Sequence, residues 1–322
     1  MLRKWFSRRP SPSRFGGRPW KTAPLDRIPT VPGMLGPEEL QFLYHSAQRH
    51  YTGAGEIVDA GAFLGGSAAA MGAGLRDNPN VAQKTRRIYS YDFFEFTDFH
   101  RPYIGGRGLE AGDDTLPLFR EFTRTLERHI TVTKGDICAQ TWPDRNIEIL
   151  FVDFTQHWDQ HEFLVRTFYP HLIPGQSLVI HQDYVFTVCY WLHVFMEYYA
   201  SCFEQISLYI PNATAAWTVR SPLPADAFRT PLNRKLPFAG LLALFDQSRE
   251  RYTGPQQRAV LGCARGRMLL HGLGPDRASD YVAQLAAEHR DNEVILQHVD
   301  ILASEIAAYR QRPWYRDDFF FQ

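Results

Sequence analysis

Short apolar runs alternate with amphipathic stretches between residues 37 and 220 of this chain. The runs are predicted to be strands, because they are brief and are bounded by turn residues. They lie at 56–60, 88–91, 130–133, 147–152 and 177–181. The stretches between them have helical spacing, so the alternation of strand and helix predicts a parallel sheet wrapped by helices.

The predicted helices precede or connect these strands. They lie at 37–51, 67–75, 116–127 and 162–172. After Asp183 the pattern changes to a long aromatic helix at 185–201, followed by two strands at 204–210 and 216–220. The short connection around Asn212 predicts that these two strands pair antiparallel at a sheet edge. The expected fold class is therefore α/β, with a Rossmann-like, mostly parallel sheet of seven strands.

The C-terminal part of the chain has a different pattern. Residues 222–237 contain four prolines, which predicts a linker or a loop that faces a substrate. Helical periodicity then resumes at 239–252, 255–270, 276–289 and 293–310. The predicted organisation is a basic flexible tail (1–35), an α/β domain (36–221), a proline-rich linker (222–237) and a helical C-terminal region (238–322). The helices of that region could cover a substrate pocket or form a homodimer contact.

Composition narrows the classes of function. Among 322 residues, 35 Lys and Arg balance 35 Asp and Glu, so no general attraction to nucleic acid is expected. The cysteines are far apart, which argues against zinc ribbons and disulfide frameworks and favours a cytoplasmic protein. No apolar stretch is long enough to predict a membrane-spanning helix.

The N-terminal tail is rich in Arg, Pro, Ser and Gly, a composition typical of disordered segments. Trp5 and Phe6 lie among its basic residues, so a weak contact with an anionic membrane surface is a second interpretation. A mitochondrial-type presequence is a third.

A glycine-rich turn follows the first predicted strand. Asp59-Ala-Gly61 ends that strand, and Gly65-Gly66-Ser67 opens the next helix. Glycine lets backbone amides approach a ligand closely, and a helix N-terminus favours a negative charge. The carboxylate of S-adenosylmethionine (SAM) or a dinucleotide pyrophosphate would suit this position. The spacing differs from the Gly-x-Gly-x-x-Gly dinucleotide fingerprint, which disfavours NAD. A tight turn packed on the sheet is the structural alternative.

Two acids follow the next two strands. Asp92 ends the second strand, and Gly135-Asp136 ends the third. An acid at the first position can accept two hydrogen bonds from a ribose diol, and an acid at the second can receive the amino group of adenine. Gly135 would let the backbone lie close to the base. Each acid is otherwise a cap or turn former, but in combination with the glycine turn they predict a nucleoside cofactor.

The order of these motifs resembles that of class I SAM-dependent methyltransferases. The corresponding residues are Glu56-Ile-Val-Asp59-Ala-Gly61, Asp92, Gly135-Asp136 and Asp153. The turn from Val58 to Ala68 and the segment Tyr169-Pro-His-Leu-Ile-Pro-Gly175 look like those of small-molecule and sugar O-methyltransferases related to macrocin O-methyltransferase. The resemblance covers about residues 40 to 220 and leaves out the tail and the C-terminal helices.

The resemblance implies a SAM-dependent methyltransferase that acts on an oxygen, or a nitrogen, of a small molecule or carbohydrate. The cofactor-binding residues that it implies are Asp59, Gly61, Ala62, Phe63, Gly65, Ser67, Asp92, Phe93, Gly135, Asp136 and Asp153. In the relatives, carboxylates after the fourth and fifth strands hold a divalent cation beside the acceptor hydroxyl. A magnesium or manganese site of Asp153, His181 and Asp183 is therefore implied. Gln182 stands where an acid is expected, which weakens such a site.

The candidate catalytic residues are Asp153, His157, His181 and Asp183. A histidine can take a proton from a hydroxyl or amine near neutral pH, so direct base catalysis is the alternative to a metal. His181 is the favoured base because it ends a central strand, where ligands gather. Each histidine could instead cap or pack. Several aromatic residues lie nearby and could fill the core, form subunit contacts or line an acceptor pocket.

Two other functions stay open. One is a SAM-fold protein without catalytic activity that acts as an interaction module, a hypothesis that Gln182 favours. The other is a nicotinamide-dependent oxidoreductase, which would share the acid after the second strand.

Overall fold

The computed structural model describes residues 15–104 and 106–311. The first part of the predicted tail lies outside these ranges, including Trp5 and Phe6, for which a membrane contact was one interpretation. The chain divides into two compact units, Met1–Gly135 and Asp136–Gln322. None of the helices in the described ranges is both long and apolar enough to span a membrane.

The N-terminal unit contains a parallel group of strands. The strands are β1 (Glu56–Ala60), β2 (Ile88–Asp92) and β3 (Ile130–Lys134). The helices are α1 (Pro37–His45), α2 (Gly66–Arg76), α3 (Arg101–Ile104) and α4 (Leu116–Thr123). Ile57 of β1 aligns with Ile88 of β2, which aligns with Ile130 of β3. These residues are buried, so the apolar runs of the sequence form the centre of the sheet.

Helix α1 begins at Pro37 and packs closely on α2. Proline is favoured at the first helical position, and the backbone N–H of Gly36 donates to the Glu39 carboxylate at 2.8 Å. The helix ends at His45 and continues as a π-helical turn to His50. Gly74 of α2 allows the close approach, because a Cβ atom there would overlap the carbonyl oxygen of Tyr44.

The described part of the predicted tail is packed on α1. The rings of Phe15 and Trp20 are buried, with centroids 5.6 and 5.0 Å from that of Phe42. Arg27 donates to both carboxylate oxygens of Asp77, at 3.1 and 2.9 Å. Aromatic burial against α1 and a bidentate ion pair with the C-cap residue of α2 thus hold residues 15–28 in place.

The C-terminal unit contains a mixed group of strands followed by helices. The strands are β4 (Ile147–Val152), β5 (Leu178–His181), β6 (Phe203–Ile210) and β7 (Thr214–Val219). The helices are α5 (Trp158–Thr167), α6 (Tyr190–Tyr198), α7 (Leu232–Lys235), α8 (Phe238–Glu250), α9 (Pro255–Leu273), α10 (Pro275–Glu288) and α11 (Glu293–Gln311). β5 runs parallel to β4, and β7 runs antiparallel to both β5 and β6.

The strands form a seven-stranded sheet in the order β3-β2-β1-β4-β5-β7-β6. The predicted α/β fold class is therefore confirmed, including the closing antiparallel hairpin at one edge. The predicted C-terminal helices are present as α8 to α11, and their shared core includes Cys263, Leu285, Leu302 and Ile306.

Helices α5 and α6 are among those whose bounds differ from the sequence prediction. Helix α5 begins at Trp158 and ends at Thr167, and a 3-10 turn at Tyr169–His171 follows it. Helix α6 begins only at Tyr190. The N–H of Val185 donates to the carbonyl of Ala213 at 3.0 Å, so the apolar residues before α6 form a connection instead of a helical turn.

Candidate functional site

The turn between β1 and α2 has the backbone conformation that its glycines predict. Gly61 and Gly65 have φ angles of +97° and +98°, which side-chain-bearing residues rarely adopt. A Cβ atom at Gly65 would also lie 2.6 Å from the Cγ2 atom of Thr123. Gly65 is the N-cap of α2 and has no side chain that could form a cap hydrogen bond. The N-terminus of α2 is therefore suited to an anionic ligand group.

Hydrogen bonds connect this turn to the end of β2. The N–H groups of Gly61 and Ala62 donate to the carbonyl of Tyr91, at 2.9 and 3.0 Å. The N–H of Phe63 donates to Asp92 Oδ2 at 2.9 Å. The structure thus brings the glycine turn and the Asp92 carboxylate together, as the motif order predicts.

Asp92 is partly buried and retains capacity for a ligand. Its Oδ1 atom accepts the N–H of Phe94 at 2.8 Å, and its Oδ2 atom accepts the N–H of Phe63. Each carboxylate oxygen can accept more than one hydrogen bond, so a diol can still donate to both. The side chain of Phe93, beside it in sequence, is 54% exposed.

Asp59 lies fully buried below the turn. Its Oδ2 atom accepts a hydrogen bond of 2.8 Å from the Ser90 hydroxyl. Burial raises the pKa of Asp59 to about 6, while hydrogen bonds from Ser67 and Ser90 act in the opposite direction. The carboxylate therefore joins β1, β2 and the first turn of α2 from the inside, and the predicted ligand residue Ser67 belongs to the same buried group.

An aromatic segment near Asp92 was not predicted from the sequence. The His100 ring lies 4.7 Å from that of Phe63, and Tyr103 packs edge-on against Phe63 at 6.2 Å. Burial lowers the pKa of His100, and the charge of Asp92 partly opposes this shift. Phe99 is 65% exposed. The segment 96–104 thus lies beside the cradle, where flat rings could contact a nucleobase.

Gly135 and Asp136 follow β3. Gly135 has a φ angle of +120°, and its N–H donates to the carbonyl of Asp92 at 2.9 Å. Asp136 accepts the N–H of Cys138 at 2.8 Å as the cap of a short 3-10 turn. The capping role expected of an isolated loop acid is therefore present for one oxygen of Asp136.

Asp153 and Asp183 follow neighbouring parallel strands. Val152 of β4 aligns with His181 of β5, so the two acids leave the sheet at the same edge. Asp183 has a φ of +57°, an uncommon conformation for a non-glycine residue that is often found at functional sites. Burial raises the pKa of Cys189 well above its ordinary value, and the charges of Asp183 and Asp153 raise it further. Both carboxylates therefore lie within electrostatic reach of Cys189.

The described residues contain no group of three or more His, Cys, Asp and Glu side chains arranged to hold a metal ion. The predicted third ligand, His181, is directed to other partners. Gln182 does not replace an acid in a metal site. Its side chain is buried and its Oε1 atom accepts the hydroxyl of Thr214, which ties β5 to β7.

His181 is enclosed by aromatic side chains. It is 0% exposed, and its Nε2 atom hydrogen bonds to the Tyr169 hydroxyl at 3.0 Å. The rings of Trp217 and Tyr184 lie 5.9 and 6.2 Å away. Burial lowers the pKa of His181 to about 3, with smaller effects from His161 and His193. These surroundings favour a packing role over the base role that the sequence suggested.

His157 has different surroundings. It is exposed and is the N-cap residue of α5. It lines a cavity of about 430 Å³ within the C-terminal unit. Burial lowers the pKa of His271 to about 3 and His157 contributes to this, so the two rings are within electrostatic reach. Of the predicted catalytic histidines, His157 is the one that a ligand can reach in this cavity.

Sequence reasoning missed most of the cavity. Its lining residues are Gln156, His157, Val188, Trp191, Arg267, Leu270, His271, Glu305, Ala308 and Tyr309. Trp191 was predicted only as one of several core or pocket aromatics. Arg267 and Glu305 lie on two helices that the periodicity predicts. The periodicity does not indicate that their polar side chains line a cavity.

Solved structures are similar to this chain, whereas sequence comparisons find no match. No family model matches the chain, and no curated protein matches it significantly. The chain is similar to the O-methyltransferase NovP, with 16% identity and a TM-score of 0.45 over 60% of this chain and 83% of NovP. It is also similar to CalS11, a TDP-rhamnose 3′-O-methyltransferase of calicheamicin biosynthesis, with 16% identity and a TM-score of 0.40 over 56% of this chain and 76% of CalS11.

Proposed function

We propose that this chain is a SAM-dependent methyltransferase that methylates an oxygen of a small molecule. The observation that carries the proposal is the cradle formed by the glycine turn, the α2 N-terminus and Asp92. An uncapped helix N-terminus suits the carboxylate of SAM, and the Asp92 carboxylate suits the ribose diol. Both requirements are met by residues of one compact unit.

The cradle favours SAM over a nicotinamide dinucleotide. The dinucleotide fingerprint places three glycines so that the backbone can surround a pyrophosphate. Here the two left-handed glycines, Gly61 and Gly65, are separated by Ala62, Phe63 and Leu64. The side chain of Leu64 is fully buried in a small apolar cluster with Phe96 and Ile104. A single compact carboxylate therefore fits this turn better than a pyrophosphate.

SAM supplies an electrophilic methyl group, so the protein mainly has to align the acceptor and remove its proton. When bound, SAM would supply a methyl group that leaves its sulfur as the acceptor oxygen bonds to it, and a base of the protein would take up the hydroxyl proton. We assign this base to His157, because its ring is exposed at a ligand-sized cavity whereas His181 is enclosed. Asp153 and Asp183 remain candidates for orienting the acceptor.

The contact that Gln182 makes weakens the argument for a catalytically inactive protein. That argument rested on a neutral residue at an expected acid position. Since Gln182 accepts the Thr214 hydroxyl between β5 and β7, its amide has a structural use that is compatible with activity. No feature of the described residues specifically favours an interaction module.

A labelled-methyl assay tests the proposal. Purified protein is incubated with methyl-tritiated SAM and separate phenol, sugar and amine acceptors, each with magnesium and with a chelator. The proposal expects label on at least one hydroxyl acceptor, with one S-adenosylhomocysteine formed per label. Label on amines only would contradict oxygen transfer, and no label on any acceptor would contradict the proposed activity.

A further inference from the structure

The cavity lined by His157 is built largely by the C-terminal helices. Arg267, Leu270 and His271 come from α9, and Glu305 and Tyr309 come from α11. Its volume of about 430 Å³ falls within the range of small-molecule sites in proteins. These helices lie outside the part of the chain that carries the methyltransferase motifs, so nothing in those motifs accounts for the cavity.

The charged groups of the cavity wall neutralise each other. Arg267 Nε and Nη2 donate to the two Glu305 carboxylate oxygens at 2.7 and 2.6 Å, and Arg267 Nη1 donates to the carbonyl of Thr187. Arg267 is nearly buried, and each of its three guanidinium nitrogens donates a hydrogen bond. The pKa of His271 is lowered to about 3 by burial, so this ring is neutral. A charged ligand would lose water here without gaining a free counter-charge.

Trp191 lines the cavity and carries a buried hydrogen-bond donor that no described residue accepts. The residue is 1% exposed, and its Nε1 atom has no hydrogen-bond partner among the described residues. A buried N–H without a partner is costly, and a ligand oxygen would satisfy it. The Glu305 side chain is 42% exposed, and its oxygens can accept a hydroxyl in addition to Arg267. Trp191, Glu305 and Tyr309 thus line the same cavity.

We infer that this cavity binds a neutral, hydroxyl-bearing ring compound. A ring oxygen or hydroxyl accepts from Trp191 Nε1, a hydroxyl donates to Glu305, and the ring faces are covered by the aromatic and apolar wall. The inference rests on the proposed function in one respect, namely that the bound compound is the methyl acceptor whose hydroxyl faces His157. Phenols and carbohydrates share the required chemistry.

Binding measured without SAM tests the inference separately from methyl transfer. Calorimetric titrations of the full chain use catechol and methyl α-glucopyranoside as neutral probes, and benzoate as a charged probe of similar size to catechol. At least one neutral probe is expected to bind about tenfold more tightly than benzoate. The neutral probe that binds identifies the phenol or the carbohydrate source.

The variant Trp191→Phe keeps an aromatic ring but removes the N–H donor. It is expected to weaken the bound neutral probe by about fivefold to tenfold. Trp142→Phe is the matched control, because Trp142 donates to the carbonyl of Arg145 at 2.8 Å and does not line the cavity. Its affinity should stay within about twofold.

Failure of both neutral probes to bind, or equal affinity for benzoate, would overturn the inference. An unchanged affinity in Trp191→Phe would do the same. Trp191-dependent binding supports the ligand site even if no bound probe is methylated when SAM is added, whereas failure of the methylation assay counts against the proposed function alone.

Discussion

The Ser90 hydroxyl of β2 donates a hydrogen bond of 2.8 Å to the fully buried Asp59 carboxylate of β1. This contact joins the two strands directly below the glycine turn. Because burial raises the pKa of Asp59 to about 6, the folded protein holds a proton there that the unfolded chain releases near pH 4.

Asp59 should therefore make stability depend on pH. Between about pH 4 and 6, unfolding releases a proton from Asp59, so the free energy of unfolding falls as pH rises. Asp59→Asn removes this titration. Between about pH 4 and 6, the free energy of unfolding of the wild type, measured by urea denaturation, should fall by about 3 kcal/mol relative to that of Asp59→Asn. Ser90→Ala should extend the fall to higher pH, and parallel curves for the wild type and Asp59→Asn would refute the assignment.

His181 should act in the opposite direction on acidification. Its folded-state pKa of about 3 lies below the ordinary value, so unfolding takes up a proton as pH falls below about 6.5. When the pH falls from 6.5 to 5, the free energy of unfolding should decrease in both proteins. The decrease should be about 2 kcal/mol smaller for His181→Gln than for the wild type. Tyr169→Phe keeps the imidazole buried and should retain the wild-type slope at lower overall stability. Equal slopes in wild type and His181→Gln would show that the imidazole titrates normally.

Gly74 should be indispensable to the packing of α1 on α2. A Cβ atom there overlaps the carbonyl oxygen of Tyr44, and a backbone atom cannot move as a side-chain terminus can. Gly74→Ala should destabilise the protein by about 1–3 kcal/mol, measured by chemical denaturation. Gly240→Ala in α8 is the control, because its nearest atoms would lie 3.8 Å away and alanine is the better helix former. A Gly74→Ala protein as stable as the wild type would contradict the close approach.

Among the candidate histidines, His157 should be the one whose replacement lowers catalysis directly. His157→Ala is expected to lower kcat by about 10²–10⁴ and to leave SAM affinity unchanged, because only proton transfer is lost. Activity in His181→Gln should instead scale with the fraction of folded protein. Normal turnover in His157→Ala would show that another residue acts as the base.

The fold was largely predictable because apolar periodicity records which faces are buried. The boundaries of β1 and β4 agree with the apolar runs at 56–60 and 147–152. The start of α6 was not predictable, since Val185 is as apolar as a helix core residue and only its pairing with Ala213 takes it out of the helix. Tertiary contacts thus overrode local pattern.

The two parts of the candidate site were predictable to different degrees. The glycine turn and Asp92 could be found because φ constraints and strand ends leave a local signal. The position of Gln182 against Thr214 and the enclosure of His181 depend on β7 and the aromatic core. The Arg267–Glu305 pair joins residues on two different helices, and no local pattern connects them.

Calorimetric titration with SAM and with NADH tests whether the glycine turn and Asp92 form a SAM site. SAM should bind to the wild type, and NADH should show no detectable binding. Asp92→Asn should weaken SAM binding about tenfold or more, because the diol loses a charged acceptor. Tight NADH binding without SAM binding, or an Asp92→Asn affinity for SAM equal to that of the wild type, would contradict a SAM site at this turn.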